Sequence, residues 1–297
     1  MLVTVIPQRR KDLGGFEVGR VLPMVGHRMV GPFVFFDHMG PVDLPAGIPR
    51  STDVRPHPHI GLATVTYLFQ GEIMHRDSIG SAQPIRAGEV NWMTAGRGIT
   101  HSERFERARA LGDSIHGIQS WVALPEEEEE IAPGFEHRDA DALPIADDAG
   151  LRLRLIAGDA YGLRSPVAVR SPLFYAHAEL AADARLALPD GSSERALYVA
   201  AGEVECDGQR YGSGQMLVFA PGKPAIVRAT APSMLMLLGG ESLGPRYIDW
   251  NFVSSHKERI EQAKADWRAG RMKLPDLDDQ EFIPLPETPA PAPEPTS

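Results

Sequence analysis

Short apolar stretches separated by Gly, Pro and Asp recur along residues 15–240. Residues 62–69 (LATVTYLF) form a run of strand length that is rich in β-branched and aromatic side chains. Residues 151–155 (LRLRL) alternate strictly between Leu and Arg, as a strand with one buried face does. Similar runs occupy residues 114–124, 196–200, 204–206, 216–219, 225–228 and 234–238. Many short strands with turns between them predict a β-sandwich or a β-barrel.

One amphipathic helix is predicted after these strands. Ser255 and Glu258 have the spacing of a capping box, in which two side chains satisfy backbone N–H groups at the start of a helix. Gly270 can end the helix in a left-handed conformation. Helical spacing places three apolar side chains on one face, namely Ile260, Ala263 and Trp267. We therefore expect a helix over residues 255–270 that packs against a sheet.

Two segments are predicted to lie outside the hydrophobic cores. Residues 126–130 are five consecutive Glu, which would repel one another in a core, so we expect a solvated loop there. A domain boundary is expected between residues 125 and 150. Residues 284–297 contain six Pro in fourteen positions and almost nothing apolar to bury, which is typical of a disordered or extended tail.

Composition and charge narrow the classes of protein. Of the 297 residues, 43% are hydrophobic and 24% are charged, as in globular domains, and the 29 Gly and 26 Pro favour turns over long helices. The net charge of −10 disfavours direct nucleic-acid binding, although residues 126–130 and 274–297 together carry −11 and the rest of the chain is close to neutral. The single cysteine, Cys206, excludes an internal disulfide and a Cys-rich zinc module. No apolar run approaches the ~20 residues that span a bilayer, so we expect a cytoplasmic protein without membrane association.

Two pairs of polar residues stand out by their spacing: His57 with His59, and His101 with Glu103. In a strand, side chains at positions i and i+2 point to the same side. If the two segments are neighbouring strands, the four side chains converge, and imidazoles with a carboxylate suit a divalent transition metal. Four protein ligands would leave one or two positions open, as a catalytic metal site requires.

The residues around these pairs resemble the motifs of the cupin superfamily. The first motif reads G-x5-H-x-H-x(3,4)-E-x6-G, and the second reads G-x5-P-x-G-x2-H-x3-N. The chain is similar at His57, His59, Gly71, Gly88, Gly96 and His101. It departs at Thr64, which stands where the first motif has Glu, and in a second motif that is two residues longer and is followed by Glu103.

These departures are themselves the pattern of the pirin family, which the chain resembles at residues 32–41, 55–103, 119–125 and 250–271. The resemblance extends from about residue 15 to residue 286. In pirins three His and one Glu bind the metal, which implies His57, His59, His101 and Glu103 as metal ligands here. The implied cofactor is one divalent transition metal, with Fe(II) favoured and Zn, Ni, Cu or Mn as alternatives.

The resemblance implies a mainly β fold of two tandem cupin barrels (double-stranded β-helix or jelly-roll) with a C-terminal helix. The expected domains are an N-terminal barrel with the metal site at 1–133, a second barrel at 134–245, a segment containing the helix at 246–283, and the tail at 284–297. The second barrel is expected to bind no metal. In its first motif the histidine positions fall on Leu188 and Asp190, and His177 stands alone.

Members of the pirin family have been linked to quercetin 2,3-dioxygenase activity. The resemblance therefore implies a dioxygenase that cleaves a flavonol or a similar small aromatic substrate, with Glu103 as the candidate base. Candidates to line the substrate pocket, for which plain core packing is the stronger interpretation, are Phe35, Phe36 and Met93. Candidates to orient the ligand imidazoles are Asp37, His38 and His75.

Two other functions remain open at this point. Pirins in animals are described as transcription cofactors, which implies a non-enzymatic, redox-sensing metal protein that acts through a protein partner. A cupin sugar isomerase also uses His-x-His with a metal. The threonine at Thr64 and the pairing of His101 with Glu103 count against the isomerase.

Overall fold

Two compact units divide the chain in the computed structural model, which describes residues 1–13 and 16–287. Unit 1 contains Met1–Arg10, Gly19–His38 and Arg138–Ser242, and unit 2 contains the described parts of Lys11–Val18, Met39–His137 and Leu243–Ser297. The predicted domains are contiguous along the chain, whereas these units are not. The N-terminal strand belongs to unit 1 because it pairs with a strand of the second half, with Leu2 opposite Phe219.

The described residues are mainly β, with two α-helices. In chain order the elements are β1 (Leu2–Pro7), β2 (Arg9–Asp12), β3 (Glu17–Leu22), β4 (Phe33–Leu44), β5 (Val54–His59), β6 (Leu62–Gln70), β7 (Glu72–Asp77), β8 (Ala82–Arg86), β9 (Val90–Thr94), β10 (Ile99–Arg104), α1 (Glu106–Leu111), β11 (Asp113–Ala123), β12 (Gly134–Arg138), β13 (Ile145–Asp148), β14 (Leu151–Ala160), β15 (Leu163–Arg164), β16 (Leu173–Leu180), β17 (Arg185–Ala187), β18 (Glu194–Ala201), β19 (Glu203–Cys206), β20 (Gln209–Gly212), β21 (Gln215–Phe219), β22 (Ile226–Ala229), β23 (Ser233–Gly240), β24 (Tyr247–Asp249), β25 (Phe252–Ser254) and α2 (Lys257–Arg268). The predicted mainly β fold is confirmed.

Unit 1 contains two antiparallel sheets, together with parts of β3 and β4. One has the strand order β1-β21-β18-β23-β16-β14-β13, with β15 on β14, and the other has the order β17-β22-β19-β20. On β14 the side chains of Leu153 and Leu155 are buried and that of Arg152 is exposed, as the alternation in the sequence predicts. These leucines join a core to which both sheets contribute, including Leu197 and the thiol-bearing Cys206.

Unit 2 contains the four-stranded antiparallel sheet β5-β10-β7-β8, and β9-β6-β11 are neighbours in a second sheet. The apolar run at residues 62–69 is confirmed as β6, which is buried along nearly its whole length between β9 and β11. In the first sheet, the antiparallel register of β10 on β5 places His101 opposite His57. This register brings the two polar pairs of the sequence into one place.

The C-terminal helix is shorter than predicted at both ends. Helix α2 begins at Lys257, its N-cap is His256, and no side-chain cap hydrogen bond is formed, so the predicted capping box is wrong. The hydroxyl of Ser255 instead donates to Oε2 of Glu129 at 3.1 Å. The predicted buried face is confirmed, since Ile260, Ala263 and Trp267 are all buried.

The acidic loop at residues 126–130 is only partly solvated. Glu126, Glu127 and Glu130 are exposed, as expected, but Glu129 is 3% exposed. Its carboxylate accepts hydrogen bonds from the Ser254 hydroxyl at 2.7 Å and the Ser255 N–H at 2.8 Å, and it pairs with Arg246 at 3.0 Å. A buried carboxylate needs such partners, and the sequence does not show that the C-terminal segment supplies them.

The predicted tail is ordered at its start. The backbone N–H of Ile283 donates to the carbonyl of Pro56 at 2.8 Å, and Leu285 packs against the cluster that contains Trp267. The remainder of the predicted tail, from residue 288, lies outside the described residues. Within the described part of the chain, no helix has the length and apolar character needed to cross a membrane.

We predict that Glu129→Ala lowers the free energy of unfolding by about 3–5 kcal/mol, because it leaves the buried Arg246 guanidinium without its carboxylate. Urea titration measures this change. Glu127→Ala is the matched control, since it removes the same charge from an exposed position of the same loop and should cost less than about 0.5 kcal/mol. Equal effects of the two substitutions would contradict this account of Glu129.

Candidate metal centre

Three histidines converge in unit 2. His57 and His59 alternate along β5 with Pro58 between them, and His101 lies opposite His57 on β10. All three side chains are buried, and one ring nitrogen from each lies within 4.8 Å of the others. The structure therefore brings the three sequence-predicted imidazoles to one point, at a separation that one metal ion can bridge.

The hydrogen bonds of His57 and His59 determine which nitrogen is available to a metal. Nδ1 of His57 lies 2.9 Å from the carbonyl oxygen of Arg55, and Nδ1 of His59 lies 3.0 Å from that of Asn251. A carbonyl only accepts, so each Nδ1 carries the hydrogen and each Nε2 keeps its lone pair. In His101 the Nε2 atom is buried and has no hydrogen-bond partner among the residues that the structure describes. Two Nε2 lone pairs and a third, unpartnered Nε2 atom fit a divalent transition metal.

Burial keeps these imidazoles uncharged. It lowers the pKa of His57 to about 4, although the carbonyl of Arg55 acts in the opposite direction. Burial also lowers the pKa of His59 and of His101 well below the ordinary value, and the neighbouring imidazoles add to the effect. All three rings are therefore neutral at pH 7, which is the state that binds a metal.

Glu103 stands apart from the close group of three imidazoles. A bulge interrupts the pairing of β10 with β5 between His101 and Glu103. Burial raises the pKa of the Glu103 carboxyl to about 7, and a hydrogen bond with Thr66 partly opposes this. The Thr66 hydroxyl is also 2.9 Å from Oε1 of Gln119. The role of Glu103 as a fourth metal ligand stays a prediction.

His75, one of the three residues predicted to orient the ligands, does contact one of them. Its Nδ1 lies 3.4 Å from Nδ1 of His101, and its Nε2 lies 3.0 Å from Oδ2 of Asp77. Burial raises the pKa of Asp77, but hydrogen bonds from His75 and Ser81 outweigh it and leave the pKa below its ordinary value. The i, i+2 spacing of His75 and Asp77 is the signal in the sequence that could have identified this pair.

The other two predicted orienting residues belong to unit 1 and have different partners. Arg20 donates to both carboxylate oxygens of Asp37, at 2.9 and 2.8 Å, and Nδ1 of His38 lies 2.8 Å from the hydroxyl of Tyr198. Neither of these contacts involves a ligand imidazole, and the orienting role of both residues stays a prediction. Asp37 pairs with Arg20, a residue that is distant in sequence from the metal motifs.

The three residues predicted to line the substrate pocket fall in different units. Phe35 lies under the guanidinium of Arg20 at 4.5 Å, and Phe36 packs edge-on against Tyr198, so both belong to the packing of unit 1. Met93 is buried on β9 in unit 2. Two contacts of the imidazole group were not predicted: the Trp121 ring lies edge-on to His59 with a centroid distance of 5.1 Å, and the carbonyl of Asn251 comes from a distant segment.

We predict that the metal-free protein loses stability as the pH falls from 6.5 towards 4.5, and that His57→Gln reduces this loss. The folded-state pKa of His57 is about 4, below the ordinary 6.5, so protons bind the unfolded chain more readily in this window. The substitution should flatten the profile by about 2 kcal/mol over these two pH units.

Urea titrations at stepwise pH after chelation of metal measure this profile. His256→Gln, which replaces an exposed imidazole that pairs only with the exposed Glu126, is the matched control and should change the profile much less than His57→Gln. A His57→Gln profile as steep as that of the unsubstituted protein would show that this imidazole does not carry the effect.

Two family profiles match the chain, Pirin over residues 15–122 and the Pirin C-terminal cupin domain over residues 175–273. A "Pirin-like protein" of Caulobacter vibrioides is 62% identical and covers 97% of this chain and 100% of its own. A Pseudomonas aeruginosa protein provisionally named quercetin 2,3-dioxygenase (PA1205) is 36% identical over 94% of this chain and 87% of its own.

A solved structure also resembles the whole chain. The crystal structure of quercetin 2,3-dioxygenase from Acinetobacter baumannii superposes with a TM-score of 0.89 and 32% identity, and covers 97% of this chain and 96% of its own. This similarity agrees with the two cupin domains predicted from the sequence. With these profiles and relatives, the chain belongs to the pirin family.

Proposed function

We propose that this protein is a metal-dependent dioxygenase that cleaves flavonols in the manner of quercetin 2,3-dioxygenase. The observation that carries the proposal is the buried group of three neutral imidazoles, in which Nε2 of His101 has no partner within the described part of the chain. The similarity to proteins named for quercetin 2,3-dioxygenase supports the choice of reaction. A buried nitrogen lone pair without a partner is costly, and a bound metal ion would satisfy it.

In this proposal Nε2 of His57, His59 and His101 hold one divalent transition metal, Fe(II) before Zn, Ni, Cu or Mn, with Glu103 as the fourth ligand. When bound, the metal would supply an open position that acidifies a flavonol 3-hydroxyl and orients it for reaction with dioxygen. The neutral state of the three rings supports this assignment, because no proton has to be displaced from them at pH 7.

Glu103 is proposed as the group that accepts the proton of the substrate 3-hydroxyl. In the metal-free chain, burial raises the pKa of this carboxyl to about 7, which makes it a stronger base than an exposed carboxylate. The hydrogen bond with Thr66 acts against the effect of burial on the pKa of the Glu103 carboxyl and so favours its charged, basic form.

Aromatic side chains beside the imidazoles suit a planar substrate. Trp121 is 7% exposed and contacts His59 edge-on, and Phe135 stacks on His75 with a centroid distance of 4.5 Å. Such rings exclude water from the neighbourhood of the reacting atoms and strengthen electrostatic interactions there. They would also bury the apolar surface of a flavonol.

We predict that the Fe(II)-loaded protein consumes quercetin in air and releases carbon monoxide. His59→Ala, which removes one ligand, should abolish consumption, and Glu103→Gln, which removes the base, should lower kcat about 10²–10⁴-fold. Quercetin absorbance and headspace carbon monoxide measure the reaction. His256→Gln, an exposed histidine, is the matched control and should retain full activity. Absence of quercetin consumption, or consumption unchanged in His59→Ala, would refute the proposed reaction.

A further inference from the structure

We propose that His75 and Asp77 are positioning residues that hold His101 in the tautomer with its hydrogen on Nδ1, so that Nε2 is available to the metal. The inference rests on the metal-ligand part of the proposed function and is independent of which substrate the protein cleaves. It assigns the third ligand imidazole a side-chain partner in place of the backbone carbonyls that serve His57 and His59.

The sheet register creates the contact. β7 pairs with β10 in antiparallel fashion, with Asp77 opposite His101 and His75 opposite Glu103. His75 and Asp77 are two residues apart and therefore share one side of β7, the side on which their side chains meet at 3.0 Å. The His75 ring then reaches diagonally to His101, with 3.4 Å between the two Nδ1 atoms.

The donor and acceptor inventory determines the tautomers. Oδ1 of Asp77 accepts the backbone N–H groups of Ile79 at 3.0 Å and Ser81 at 2.9 Å, so Oδ2 faces His75. A carboxylate only accepts, so Nε2 of His75 carries the hydrogen, and in the neutral form of the ring, which the proposal requires, Nδ1 keeps its lone pair. That lone pair can only accept, and His101 must therefore donate from Nδ1.

Packing holds the side chains of His75 and Asp77 in place. Asp77 is 1% exposed and His75 is 5% exposed, and Phe135 stacks on the His75 ring with an interplanar angle of 18°. The turn after Asp77 is tied to β10 by reciprocal hydrogen bonds between Ser78 and Thr100, at 2.9 and 3.1 Å. Because both side chains are fixed, we expect the tautomer of His101 to respond to replacement of the Asp77 carboxylate by a group that donates a hydrogen bond.

Asp77→Asn is the discriminating substitution, because it changes a single acceptor into a donor at nearly constant shape. The carboxamide oxygen can keep the N–H groups of Ile79 and Ser81, which turns its NH₂ group towards His75. His75 must then accept on Nε2 and carry its hydrogen on Nδ1, where it faces His101. His101 is driven to the tautomer with hydrogen on Nε2, which cannot bind the metal through that atom.

Cobalt(II) titration of the metal-free full chain, in competition with a chromophoric chelator, measures the effect without turnover. We expect Asp77→Asn to weaken cobalt binding about 100-fold and His75→Phe, which removes the acceptor but imposes no tautomer, to weaken it about 10-fold. The double variant should bind like His75→Phe alone, because the carboxamide acts only through the His75 ring. An Asp77→Asn protein that had merely misfolded would not be rescued in this way.

Histidine-ring ¹⁵N NMR of the metal-free protein reads the tautomer directly, with His101→Gln used to assign the signal. Hydrogen on Nδ1 of His101, moving to Nε2 in Asp77→Asn, supports the proposal. An unchanged tautomer, cobalt binding within about twofold of the unsubstituted protein, or independent losses in the double variant would overturn it. His59→Ala separates the two failures: if cobalt binding survives it, the ligand assignment of the proposed function fails first.

Discussion

The metal centre depends on one constraint on three imidazoles that share a buried space. All three rings must be neutral, and each ring must keep its hydrogen on the nitrogen that faces away from the other two rings. Burial satisfies the first condition, because the charged form of each ring is too costly in the interior. The second requires an outward acceptor for every ring. The carbonyls of Arg55 and Asn251 serve two of them, and His75 faces the third.

The need for outward acceptors explains why a distant segment of unit 2 takes part in the site. Asn251 immediately precedes β25, and β25 is held in place by the hydroxyl of Ser254, which donates to Glu129. The charge of Glu129 is offset in turn by Arg246. A segment almost two hundred residues after His59 in sequence thus supplies the hydrogen-bond acceptor that orients this ligand imidazole.

Strand β10 serves the site with both of its faces. His101 and Glu103 lie at alternate positions from Ser102 and Arg104, so the two pairs project to opposite sides. Ser102 and Arg104 both donate to the carboxylate of Asp278, with Ser102 at 2.6 Å and Arg104 at 2.7 Å. The C-terminal segment therefore fixes the strand from behind while the ligand imidazole is presented in front.

The sequence by itself determined the features that depend on local periodicity: the short strands, the buried face of α2, and the convergence of His57 and His59 with the second motif. Alternation along a strand is a property of the backbone and needs no partner. Tertiary structure decided which partner each polar group obtained. Ser255 bonds to the buried Glu129 instead of capping α2, and His75 meets His101 through the register of β7 on β10. Each such pairing offsets the desolvation cost of two buried polar groups that are remote from each other in sequence. Only the folded chain sets the distance between the two groups.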